Sequence, residues 1–128
     1  MVKIIKIVFV LIVLLLKVAN ANNLQDEKKN SVGIASYYSM KHENKRTASG
    51  EKYKSSNLTA AHKTLPFGTL VKVTNLKNNK SVIVKINDRG PFVKGRILDL
   101  SYSAAKEIDM LVSGMAKVKV EVIDFAEK

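Results

Sequence analysis

Between residues 32 and 123 the chain alternates apolar and polar positions in short runs, the period of strands with one buried face. Residues 32–38 open the series, and residues 70–75 set valines against polar neighbours. Residues 81–86 repeat the pattern after an asparagine-containing segment, 76–80. Asparagine tolerates positive φ, so that connection suits a hairpin turn. Residues 97–100 form a fourth, short run. Residues 116–123 are the cleanest alternation, with Val118, Val120 and Val122 on one face. One helix is expected over 102–109: Ser101 can cap it, and Ala104, Ala105 and Ile108 make its apolar stripe. Five or six short strands with one short helix predict a small, mainly β barrel, not a parallel βαβ sheet.

The N-terminus follows a different pattern. Residues 1–6 carry Lys3 and Lys6 without an acid, residues 7–16 lack any polar side chain, and Ala19-Asn20-Ala21 is a small-x-small site. This is the make-up of a secretory signal peptide, residues 1–21, cleaved after Ala21. The apolar run is too short for a bilayer core, which needs about 20 residues. Residues 22–31 are polar and read as a flexible leader. That leaves residues 32–125 as a single domain with a modest core. The expected location is outside the cytoplasm, in the periplasm or the cell envelope.

Composition narrows the chemistry. There is no cysteine, which removes a disulfide framework, a thiolate metal site, a thiol nucleophile and a lipid-anchor cysteine. The processed chain is therefore expected to have no stable membrane anchor; it is also expected to be monomeric. The formal net charge is +11 over the whole chain. Such an excess suits a polyanion (nucleic acid, an anionic membrane face or an acidic wall polymer) or simply a solvated lysine-rich surface.

Three segments interrupt the β pattern: RTASGE (46–51), LTAAHKTLPFGT (58–69) and NDRGPF (87–92). Side chains in loops at strand ends are held by a rigid scaffold, which is where small barrels carry function. Glu51, His62 and Asp88 are the candidates they supply. A solvated carboxylate, a structural histidine and an Asx-type turn are the plainer readings of the same three residues. His42 and His62 lack a third ligand at metal-site spacing, so no metal is expected. No phosphate-binding glycine loop or nucleophile elbow is present, and no cofactor is expected.

Together with GIASYY (33–38), VKVTN (71–75), VKINDRGPFV (84–93) and GRILDLS (95–101), these segments closely resemble the rare lipoprotein A family of septal lytic transglycosylases. The resemblance covers residues 32–123 in order. It implies a six-stranded double-psi β-barrel with one or two short helices, a fold shared with expansins, and an open groove for a polysaccharide. It further implies non-hydrolytic cleavage of peptidoglycan glycan strands, preferably stripped of peptide, to 1,6-anhydromuramic ends. By matching motif positions, Asp88, Glu51 and His62 correspond to the family's presumed catalytic cluster. Asp88 is the expected acid and then base, with Glu51, beside His62, the competing assignment. Tyr37, Tyr38 and Phe92 are candidates to stack on sugar faces. Thr47, Ser49, Asn87 and Arg89 are candidates to bond glycan hydroxyls, and Arg96 with Asp99 reads as an internal ion pair. A non-catalytic, expansin-like wall-loosening module is the alternative. Nucleic acid is not expected as a partner, since no recognition helix or aromatic RNA-binding motif occurs. The chain shows neither the lipid-anchor cysteine nor the peptidoglycan-binding repeat domain of many relatives, so the resemblance does not extend to the family's septal recruitment or outer-membrane tether.

Overall fold

The structure, a computed structural model, describes residues 2–126. The chain divides into two units, Met1–Asn30 and Ser31–Lys128. The first is a helix, α1 (Val2–Lys29). It takes in the apolar run and continues through residues 22–29, where the flexible leader was expected. Among the described residues, no helix is long and apolar enough to cross a membrane.

The second unit is a closed six-stranded barrel in the order β1-β5-β2-β4-β3-β6. Its strands are β1 (Asn30–Tyr37), β2 (Thr59–Ala61), β3 (Leu70–Asn75), β4 (Ser81–Asp88), β5 (Arg96–Leu100) and β6 (Ala116–Asp124). β3 and β4 pair antiparallel, with Val71 opposite Val84 and Val73 opposite Val82. On its other side β3 sets the same two valines against Val122 and Val120 of β6. The register therefore lines valines up across three strands on one face, and that face is the barrel interior: Val71, Val73, Val82, Val84, Val118 and Val120 are buried. Each such side chain contributes roughly 1.5–3 kcal/mol of apolar transfer. A slip of one residue would turn the whole set to water.

Closure depends on β1, β2 and β5. Ala35 of β1 pairs in parallel with Leu98 of β5. Gly33 allows the close approach, because a Cβ there would lie 2.7 Å from the Ile97 side chain. β2 sits between β4, parallel, and β5, antiparallel. Its three residues are all buried. A strand buried on both faces shows no alternation, which is why β2 was not legible as a strand.

α2 (Tyr102–Glu107) is capped by Ser101, whose hydroxyl accepts from the Ala104 N–H at 3.2 Å. The expected stripe of Ala104, Ala105 and Ile108 is fully buried in the core. Just past the helix, the Ile108 carbonyl accepts bonds from the side-chain amides of Asn75 (2.9 Å) and Asn78 (3.0 Å). Asn79 closes the β3–β4 turn at φ 60°, the left-handed conformation anticipated for that segment.

Candidate active site

The three chemistry-bearing segments meet at the C-terminal end of β4. Paired with β2, β4 runs two residues beyond its apolar alternation, to Asn87 and Asp88, with Ala61 facing Asp88 across a register shift. The His62 N–H continues that pairing onto the Asp88 carbonyl at 3.1 Å. From the other segment, the Ser49 N–H donates to the Asn87 carbonyl (3.2 Å) and the Ala48 N–H to Asp88 Oδ1 (2.8 Å).

Asp88 is held from three directions. Its Oδ1 also accepts the Arg89 N–H at 2.9 Å, and its Oδ2 accepts the Tyr38 hydroxyl at 2.5 Å. Tyr38 lies one residue past β1, stacked on buried Tyr53 with ring centroids 4.6 Å apart and edge-on to His42 at 5.1 Å. Burial, and after it the bond to Asp88, push the Tyr38 phenol far above its ordinary value. The phenol therefore stays protonated and donates to the carboxylate at any physiological pH.

Tyr38 and Asp88 line an open pocket of about 360 Å³, together with Tyr37 and Arg89 from the expected set. Four further residues complete its wall: Ser39, His42, Arg96 and Asp99. The expected Arg96–Asp99 ion pair is present, with Arg96 Nη2 at 2.8 Å from Asp99 Oδ1. Ser36 bonds to both partners. Nothing local in GRILDLS shows that this pair faces a cavity. A larger depression of about 740 Å³ lies elsewhere, bordered by Asn75, Asn78, Asp109, Val112 and Met115. Its ionised groups are dispersed and exposed, so it offers no comparable chemistry.

The remaining expected residues, Glu51, His62, Thr47, Ser49, Asn87 and Phe92, do not line this pocket. Glu51 is exposed, and both its oxygens accept Lys85 Nζ at 3.0 Å. Those bonds, helped by Asn87 and only partly opposed by desolvation, hold the Glu51 carboxyl below its ordinary value. His62 Nδ1 accepts the N–H groups of Thr64 (3.1 Å) and Leu65 (3.0 Å), which leaves the ring proton on Nε2. Desolvation first, then the charges of Arg89 and Lys63, lower its pKa. The imidazole is therefore neutral at pH 7.

Thr47, Ser49 and Asn87 serve the turn that carries Glu51. Thr47 Oγ1 lies 2.9 Å from Ser49 Oγ and donates to the Glu51 carbonyl at 2.8 Å, while Asn87 is 4% exposed. Arg89 clamps the 62–67 segment, donating to the Leu65 carbonyl at 2.8 Å with its guanidinium 4.0 Å over the Phe67 ring. Tyr37 donates its hydroxyl to the Leu111 carbonyl at 2.8 Å. Phe92 is 83% exposed on the β4–β5 connection, free to meet a ligand face.

The sequence matches, over residues 30–120, a double-psi β-barrel family model described as lytic transglycolase. The chain belongs to this family. Among its relatives, the endolytic peptidoglycan transglycosylase RlpA of Campylobacter jejuni is 58% identical over 93 residues, covering 73% of this chain and 34% of that protein. The match thus spans about a third of the length of that curated relative. Streptomyces papain inhibitor superposes with a TM-score of 0.62 at 20% identity, over 75% of this chain and 96% of that one. A Clavibacter michiganensis expansin gives 0.59 at 19% identity, over 77% and 52%. These two likenesses establish the double-psi barrel fold.

Proposed function

We propose that this barrel is an exported endolytic lytic transglycosylase that cleaves peptidoglycan glycan strands, preferably those stripped of peptide, to 1,6-anhydromuramic ends. Family membership and the names of its relatives support the reaction class. The observation that carries the proposal is Asp88: a carboxylate fixed by two backbone N–H groups and a phenol, on the wall of an open pocket. Export rests on the lysines and apolar run of residues 1–21.

The reaction needs a proton for the leaving glycosidic oxygen and negative charge near an oxocarbenium-like transition state. The attacking group is the sugar's own 6-hydroxyl, so no activated water is required. The pocket supplies fixed carboxylates and a phenol that holds Asp88 in one orientation. Glu51 has both oxygens engaged by Lys85 Nζ, which leaves neither free to carry a proton to a leaving oxygen. In this reading it contributes charge and hydrogen bonding at the margin. His62 contributes a neutral imidazole whose Nε2–H is the remaining donor.

Digestion of purified sacculi, intact and amidase-treated, tests the reading, with wild type and Asp88→Asn compared by mass spectrometry. Anhydro-ended products from wild type alone are expected, more abundant after amidase treatment. Reducing-end products would make the barrel a hydrolase. Binding to sacculi without any product would make it a non-catalytic, expansin-like module.

A further inference from the structure

Two carboxylates line the pocket, and their surroundings differ. Both oxygens of Asp88 are engaged, Oδ1 by the N–H groups of Ala48 and Arg89 and Oδ2 by Tyr38. Asp99 is engaged on one side only. Its Oδ1 takes the Ser36 hydroxyl and the Arg96 guanidinium. Its Oδ2 accepts no hydrogen bond among the described residues, and it is not a buried, unpaired atom, as Arg96 Nε is.

Asp99 is also rigidly placed. In β5 it lies between fully buried Leu98 and Leu100, paired with Ser36 of β1 on one side and Ala61 of β2 on the other. Gly90 of the β4–β5 connection passes close to Oδ2. A Cβ there would lie 3.9 Å from Asp99 Oδ2 and 3.6 Å from the Phe92 ring, at a φ of +124° that L side chains avoid. NDRGPF thus passes its one residue without a side chain over the open oxygen of the second carboxylate.

We propose that Asp99 is a second catalytic carboxylate of this pocket and its proton carrier, with Asp88 acting as the fixed anion. The assignment rests on the transglycosylase reading above. A general acid that later acts as base needs an oxygen free to meet the reacting groups, and Oδ2 of Asp99 is that oxygen. The step starts with Asp99 protonated on Oδ2 while Ser36 and Arg96 hold its Oδ1. As the bond from C1 to the glycosidic oxygen breaks, its electron pair goes to the leaving oxygen, which takes that proton. The 6-hydroxyl oxygen then bonds to C1, and its proton returns to Asp99. The step balances without water or a co-reactant. Ser36 and Arg96 hold the carboxylate through its other oxygen, while the charge of Asp88 offsets that developing on the sugar.

Asp99→Asn keeps the size and one acceptor oxygen of the side chain. Wild type, Asp99→Asn and Asp88→Asn are compared for anhydro-product release from amidase-treated sacculi. The same three are compared on a glycan whose leaving group is nitrophenol, which departs without protonation. Asp99→Asn is expected to lose about 100-fold or more on sacculi but to stay within about tenfold of wild type on the nitrophenyl glycan. Asp88→Asn is expected to lose on both. Wild-type activity on sacculi by Asp99→Asn, equal loss by Asp99→Asn on both substrates with an intact melting curve, or rescue of Asp88→Asn instead would overturn the assignment alone. A wild type that releases no anhydro product from either substrate overturns the transglycosylase reading and this assignment with it. If Asp99→Asn does not fold, Asp99→Ser is read on the same two substrates.

Discussion

The two halves of β4 are built from different physics. Over residues 81–86 the strand sends Val82, Val84 and Ile86 into the barrel, against the valines of β3 and beneath α2. Over its last two residues it faces loops, and its contacts become directional: Asn87 to the turn carrying Glu51, and Asp88 to Ala48, Arg89 and Tyr38. Apolar burial is non-directional and tolerates neighbours of similar volume. A carboxylate bound by three donors does not tolerate such exchange. The first half holds the barrel together, and the second half aims one functional group.

Substitutions should separate these two roles. Asp88→Asn is expected to cost roughly 10²–10⁴-fold in anhydro-product release while leaving the melting temperature within a few degrees of wild type. Collapse of the melting transition would instead make Asp88 a structural residue. Ile108→Ala, fully buried in the core, should do the reverse. Chemical denaturation should show a loss of about 2–5 kcal/mol, with unchanged turnover by the protein that remains folded. Reduced turnover at full folding would mean that the core tunes the site.

Acidity gives a smaller test. The His62 pKa is lowered from 6.5 in the folded protein, so the unfolded chain takes up that proton first. The stability this confers is present above pH 6.5 and is lost as the pH falls through the lower folded value. Wild type should lose stability between pH 7 and 5 relative to His62→Gln, and parallel stability curves over that range would remove the effect. The smallest effect expected is at Glu51, whose pKa is also lowered. Its contribution is present above the ordinary carboxylate value of 4.5 and fades as the pH falls below it. The pair with Lys85 is half exposed, so Lys85→Met should change stability by less than about 1 kcal/mol at pH 7. The difference should disappear on acidification. A larger value would mean that this pair braces the turn.

Much of the scaffold was legible in the sequence because alternation records which side of a strand is wet. Residues 70–75 are β3, and residues 81–86 and 116–123 fall within β4 and β6. Ser101 caps α2 through the bond that its position before Ala104 and Ala105 predicted. β2 escaped because its three small residues are buried on every side and carry no period. The ends of β4 and β5 were underestimated for a related reason: Asn87, Asp88 and Arg96 extend strands through pairing with neighbours distant in sequence.

The sequence by itself determined five of the barrel's six strands, its apolar face, its helix cap and the segments rich in chemistry, because each depends on residues close together in the chain. Which of those residues share a cavity was decided only by tertiary structure. Closing the barrel sets Asp99 of β5 on the same pocket as Asp88 of β4 and Tyr38 beyond β1, while it ties Glu51 to Lys85 and the His62 ring to its own loop. The physical reason is that a hydrogen bond or a shared cavity is fixed by distance in space. Strands paired in parallel and across register shifts bring together positions as far apart as 36 and 99, and no local pattern in either segment records that meeting.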